Sequence, residues 1–289
     1  MARSTVQLND RDAAVEVVEC GDPTGLPVFF MHGWPRAGGQ CGVFLEAARE
    51  HGVRMIAPNR PGIGRSTPDP RHSMAGWAST VGALADALQI RRFRILGVSG
   101  GGPYALSTAC LLPDRVDACA VVSGLPPLGP DGSGLPASLR LELRLKRHAP
   151  RVAAALLTAA RLSVRRRATV GWLIRRLTGS PSDARALGTG AAAEASFRAF
   201  REAVESGPHA VLADSEPYTR PWGFAPEDIR VPVCFFHGLR DRTAAWHRLR
   251  PVAEQVPSAA IVLFDEDGHW AVSMTRQEAI LGWLIRASA

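Results

Sequence analysis

Gly97-Val98-Ser99-Gly100-Gly101 is the stretch that decides the fold. It follows the apolar run Phe93-Arg94-Ile95-Leu96, which reads as a buried strand. It precedes Pro103 to Leu112, which reads as a helix stopped by Pro113. A serine between glycines at a strand-to-helix turn forms a nucleophile elbow, in which a tight turn lifts the hydroxyl clear of the sheet. Side chains at positions 97 and 101 would collide with neighbouring backbone, and glycine removes that collision. The helix that follows points its free N–H groups and positive dipole end at the reacting oxygen.

Working outward, apolar runs alternate with helical patterns. Residues 5–20 alternate apolar and polar positions and predict an antiparallel hairpin. Strands follow at Pro27–Met31, Val53–Ala57 and Val116–Val122, with helices over Gly42–His51 and Met74–Leu88. Beyond about residue 125 the alternation stops. A Pro/Gly-rich stretch from Leu125 to Gly132 opens a segment that reads as helical from about 137 to 213. The pattern resumes with a strand at 231–236, a helix near 245–256, a strand at 260–264 and a helix near 276–287. Strands alternating with helices predict an α/β fold with a mostly parallel sheet. The expected organisation is a core of residues 1–125 and 223–289 with a helical cap at 126–222. Ligands in such sheets sit beyond the carboxyl ends of the strands. His32-Gly33-Trp34, Asn59 and Ser99 all fall there.

A serine hydroxyl needs a base to become a nucleophile, and a histidine base needs a carboxylate to hold its tautomer. Strand 231–236 runs into His237-Gly238-Leu239-Arg240-Asp241. Strand 260–264 runs into Asp265-Glu266-Asp267-Gly268-His269. This places Asp241 and His269 at the same sheet edge as Ser99, in the chain order Ser, Asp, His. Asp267 is the rival for the carboxylate role, although its neighbours Asp265 and Glu266 suggest a solvated acidic turn. His32 and His237 each open a His-Gly turn and read as buried structural histidines, with His32 a secondary candidate for the substrate pocket. The Trp34 ring either lines that pocket or packs against the loop.

With these residues in place, the sequence resembles α/β-hydrolase fold enzymes of the capped, serine-nucleophile kind, similar to esterases and proline iminopeptidase-like proteins. The resemblance rests on His32-Gly33-Trp34-Pro35, on Arg60 to Ser66, on the elbow, and on Asp241 with Gly268-His269. It implies Ser99 as nucleophile, Asp241 as orienting acid and His269 as base. It also implies an oxyanion hole built from the backbone N–H groups of Trp34 and Gly100. The implied chemistry is hydrolysis of an ester, thioester, lactone or amide of a small organic substrate through an acyl-Ser99 intermediate, with no cofactor or metal. Epoxide hydrolases and haloalkane dehalogenases share the His32-Gly33-Trp34-Pro35 pattern, but their nucleophile is aspartate. The competing class is a non-hydrolytic protein of the same fold, a cyclase, rearrangement catalyst or ligand-binding protein using the cap cavity.

Composition bounds the remainder. The chain has 289 residues, 46% of them hydrophobic and 21% charged, which fits one large domain or a domain with an insertion. No apolar run is long enough for a membrane span and the N-terminus lacks an apolar signal core, so a cytoplasmic location is expected. Five scattered cysteines with no C-x-x-C pair argue against a disulfide framework or zinc site. The net charge of +7 comes almost entirely from arginine, since Lys146 is the only lysine. Leu139 to Arg176 holds many of these, with Glu142 its only acid. That stretch either steers an acidic substrate or acidic carrier protein, or is a solvated helix face. The second reading is favoured, because long arginine stems cover apolar surface while their heads stay wet. Nothing matches a nucleic-acid-binding fold.

Overall fold

The computed structural model describes residues 1–8, 13–129, 140–141, 144–145, 148–163, 180–188, 190–257 and 259–287. Side chains at 150 and 160–163 are outside this description. The expected helical run at 137–213 falls partly outside it. So do seven of the eleven basic residues of the 139–176 stretch, namely Lys146, Arg147, Arg165, Arg166, Arg167, Arg175 and Arg176.

Eight strands form one sheet: β1 (Ala2–Leu8), β2 (Ala13–Gly21), β3 (Leu26–Met31), β4 (Val53–Pro58), β5 (Phe93–Val98), β6 (Val116–Val122), β7 (Val233–Gly238) and β8 (Ala259–Phe264). Their order is β1-β2-β4-β3-β5-β6-β7-β8. The expected hairpin is present, with Ala2 opposite Glu19 and Leu8 opposite Ala13. β2 also runs antiparallel to β4, and every later pairing is parallel. The central strands are largely apolar because helices cover both their faces. Val28, Phe29, Phe30, Ile95 and Leu96 have no exposed surface. β5 lies in the middle of the sheet, which buries the strand feeding the elbow.

The described helices are α1 (Leu45–Glu50), α2 (Met74–Ala87), α3 (Gly101–Leu111), α4 (Pro150–Ser163), α5 (Pro181–Ala186), α6 (Ala191–Glu205), α7 (Pro208–Asp214), α8 (Trp246–Gln255), α9 (His269–Thr275) and α10 (Gln277–Arg286). Ser73 starts α2 by accepting a hydrogen bond from the Gly76 amide at 3.0 Å. The expected helix over 42–51 is instead a 3-10 turn, Gly38–Phe44, followed by the short α1. Asn59 Oδ1 accepts from the Gly38 amide at 2.6 Å, so this turn is anchored by β4's exit loop rather than by a local cap. Between β6 and β7 all regular structure among the described residues is helical. Four of the five cysteines are buried in the core. Among the described residues, no helix is long and apolar enough to cross a membrane.

Candidate active site

The turn after β5 has the strain that the motif requires. Ser99 sits at φ +54°, in the left-handed region that non-glycine residues rarely occupy. Its backbone is held on both sides. Its N–H donates to the Val122 carbonyl at 2.9 Å, and its carbonyl accepts from the Gly102 and Leu125 amides at 2.9 and 3.0 Å. A side chain at position 97 would sit 2.5 Å from the Gly101 carbonyl oxygen, and one at position 101 would collide with the Met31 carbonyl. The two flanking glycines are therefore required sterically.

Asp241, beyond β7, and His269, beyond β8, converge on that serine. His269 Nδ1–H donates to Asp241 Oδ2 at 2.7 Å, which leaves Nε2 to accept the Ser99 hydroxyl at 2.9 Å. Asp241 Oδ1 accepts from the Thr243 and Ala244 amides at 2.8 and 2.7 Å, and His237 Nε2 lies 3.3 Å from Oδ2. Burial opposes charge on Asp241, but the charge and hydrogen bonds of His269 and His237 outweigh it. Its carboxyl titrates far below the usual range. Burial likewise opposes the His269 imidazolium, but the charge and hydrogen bond of Asp241, together with Asp183, raise its pKa above the ordinary histidine value.

Asp267 takes no part in this contact. Its side chain is not solvated as its acidic neighbours suggested: it is buried and accepts from Arg276 Nε at 2.7 Å. The sequence could not show that pairing, because Arg276 reaches back over an intervening helix, α9. Asp265 and Glu266 are exposed as expected.

Trp34 and Gly100 lie side by side. A Cβ built on Gly100 would be 3.0 Å from the Trp34 amide nitrogen, and neither amide has an acceptor among the described residues. Two free N–H groups beside a buried serine are the donor set that a developing oxyanion needs. The Trp34 ring packs 5.9 Å from that of Tyr218 and is 8% exposed.

His32 has no exposed surface. Its Nδ1–H donates to the Gly33 carbonyl at 3.0 Å, and Nε2 accepts the Arg60 amide at 3.3 Å. Burial and the Arg60 charge lower its pKa to about 3, so it stays neutral. With both nitrogens committed to backbone, it belongs to the frame of the site and not to its lining.

Two residues whose roles the sequence did not show hold this frame. Arg60, 1% exposed, donates to the carbonyls of His32 (2.6 Å) and Gly33 (3.0 Å), fixing the turn that presents the Trp34 amide. It forks onto both oxygens of Asp214 at 2.5 and 2.8 Å. The second is Asp183, in α5. Its carboxylate accepts the amides of His269, Trp270 and Ala271 at 3.0, 2.7 and 2.9 Å, and Ser182 Oγ accepts the Gly268 amide at 3.0 Å. α9 therefore begins at His269 with its free amides satisfied from 86 to 88 residues away. A side chain on Gly268 would strike the Asp183 carboxylate, which accounts for the Gly268-His269 pair. No signal near residue 269 announces this helix, and none was expected there.

Fold and site together define an α/β hydrolase. Residues 27–273 match the model of the α/β hydrolase fold family, and the chain belongs to that family. A non-heme chloroperoxidase of Streptomyces lividans is 38% identical over 125 residues, covering 43% of this chain and 45% of that one. A bifunctional esterase/perhydrolase of Acinetobacter calcoaceticus is 34% identical over 119 residues, covering 38% and 43%. These alignments span less than half of either relative. The crystal structure of the enol-lactonase from Burkholderia xenovorans LB400 superposes with a TM-score of 0.73 over 98% of this chain and 100% of its own, at 17% identity. That likeness is one of fold.

Proposed function

We propose that the protein is a serine hydrolase that cleaves an ester, thioester, lactone or amide of a small organic substrate. The observation that carries this reading is the unbroken chain Ser99 Oγ–His269 Nε2 and His269 Nδ1–Asp241 Oδ2, at 2.9 and 2.7 Å. His269 takes the Ser99 proton as Oγ attacks the acyl carbon. The oxyanion falls between the Trp34 and Gly100 amides, and His269⁺ returns the proton to the leaving group. Water, activated by the same imidazole, then releases the acid from Ser99. Residues 126–222 serve as the cap over this site. The relatives favour a second outcome at the second step, in which hydrogen peroxide takes the acyl group in place of water and a peroxy acid leaves. The esterase/perhydrolase name supports this branch. A pure binding role would not need the complete triad.

The test is a mutant cycle. Ser99→Ala and His269→Ala should each lower kcat by about 10⁴ or more, and the double variant should be little worse than either. Additive losses would show that the two do not act together. Measuring products with and without peroxide separates the two branches. If the arginine-rich stretch 139–176 steers an acidic substrate or carrier protein, kcat/KM for that substrate falls as the Debye length shrinks from about 10 Å at 0.1 M salt to about 3 Å at 1 M. A flat response with every acidic candidate removes the steering role.

A further inference from the structure

The loop that supplies the Trp34 amide continues through Pro35 to Arg36. Its next residue, Ala37, donates its amide to the Ala199 carbonyl of α6 at 3.1 Å. Arg36 is 4% exposed. Its guanidinium carbon lies 4.6 Å from the ring centre of Trp270, the residue after the base His269, and 4.9 Å from that of Phe200 in α6. The group therefore sits between the start of α9 and the helical segment, two residues from an oxyanion donor.

Its polar partners are few. Nη1 donates to the Pro35 carbonyl at 2.7 Å, and Nε is buried without a partner among the described residues. No carboxylate there pairs with it. Asp183 and Asp241 are held by backbone amides and histidine, and Glu202 pairs with Arg3. Arg60 shows what this fold does with a buried guanidinium when it only needs a structural tie: a forked carboxylate plus two carbonyls. A buried cation left without its counter-charge is costly, and aromatic faces offset only part of that cost. Burial lowers the Arg36 pKa to about 9, so the group is still a cation at neutral pH. The same loop carries a second buried donor with no acceptor among the described residues, Trp34 Nε1.

We propose that Arg36 receives a carboxylate carried by the substrate, so that the site is built for esters of acids or alcohols bearing a second, negatively charged group. The counter-charge that Arg36 lacks among the described residues is then supplied by the ligand. A guanidinium fork whose Nε side is free suits a carboxylate in two-point contact. The proposal rests on the hydrolase reading for the identity of the site, but not for its own test.

Two ester pairs decide it. Monomethyl succinate against methyl 4-methylpentanoate places the charge on the acyl half. O-acetylglycolate against isobutyl acetate places it on the alcohol half. In the native protein, kcat/KM for one charged ester should exceed that of its neutral counterpart by about tenfold or more, about 1.4 kcal/mol. Arg36→Gln should bring the ratio to about 1, and Arg36→Lys, which keeps the stem and the charge, should retain part of it. The pair that shows the preference identifies the half that carries the carboxylate. Equal rates for charged and neutral esters in both pairs, or a preference that survives Arg36→Gln, overturns the proposal. If no ester is turned over, the hydrolase reading has failed and calorimetry with succinate decides alone. Binding to the native protein that weakens at least about tenfold in Arg36→Gln upholds the carboxylate site, and no binding to the native protein overturns it.

Discussion

Replacing Asp241 by asparagine alters one atom, and the surrounding hydrogen bonds dictate how the new amide lies. Oδ1 accepts from the amides of Thr243 and Ala244, both donors fixed in the backbone. The asparagine carbonyl must take that position, since turning the NH₂ toward two N–H groups would strand both of them at a cost of about 1–3 kcal/mol each. The NH₂ then faces His269 Nδ1, where the native carboxylate accepts at 2.7 Å. Nδ1 is forced to become the acceptor and the ring proton moves to Nε2, the atom that must take the Ser99 proton. The base is lost without loss of the fold. The expected fall in kcat is about 10⁴, about 5.5 kcal/mol in the barrier, as measured for the same change in the serine-protease triad. Asp267→Asn is the control, because its partner Arg276 is a half-exposed cation and such a pair contributes about 1 kcal/mol or less. Steady-state kinetics on one activated ester, with a thermal melt of each variant, gives the comparison. A loss below about tenfold for Asp241→Asn, or a larger loss for Asp267→Asn, would refute the reasoning.

Two further outcomes follow from the same electrostatics. His269 must be neutral to act, and its pKa is raised above the ordinary value of about 6.5, so kcat/KM should fall on the acid side through a single ionisation centred above 6.5. A midpoint below 6.5, measured with a neutral ester, would contradict the Asp241–His269 contact. Asp183→Ala removes the acceptor for three amides at the start of α9 and should lower kcat by about 10–100-fold with little change in KM, while Asp183→Asn should restore part of the rate. Because Asp183 also helps to raise the His269 pKa, both variants should move the acid midpoint downward, which a purely structural loss would not do.

The meeting of Ser99, Asp241 and His269 was legible because each follows an apolar strand, and a strand's carboxyl end is readable from local composition. The glycines at 97 and 101 were legible for the same reason, since the clash they avoid lies within one turn of the chain and its neighbouring strand. What escaped the sequence depends on contacts between distant segments. α9 has no cap of its own and is started by Asp183. Asp267 is buried and paired with Arg276, which lies beyond α9 in the chain. Arg60 opens one of the blocks that carry the family resemblance, but its structural role is invisible until Asp214 and the His32 and Gly33 carbonyls are placed around it. Arg36 is conspicuous only through the counter-charge it lacks among the described residues.

The most direct test of Ser99 as the nucleophile is covalent labelling of the folded protein with a fluorophosphonate, followed by peptide mass mapping. One adduct per chain should form, on the peptide containing Ser99. None should form in Ser99→Ala, and labelling should be slower by orders of magnitude in His269→Ala, because without the imidazole the hydroxyl keeps its proton. An adduct on a different residue, or no adduct at Ser99 in the folded native protein, would contradict the assignment.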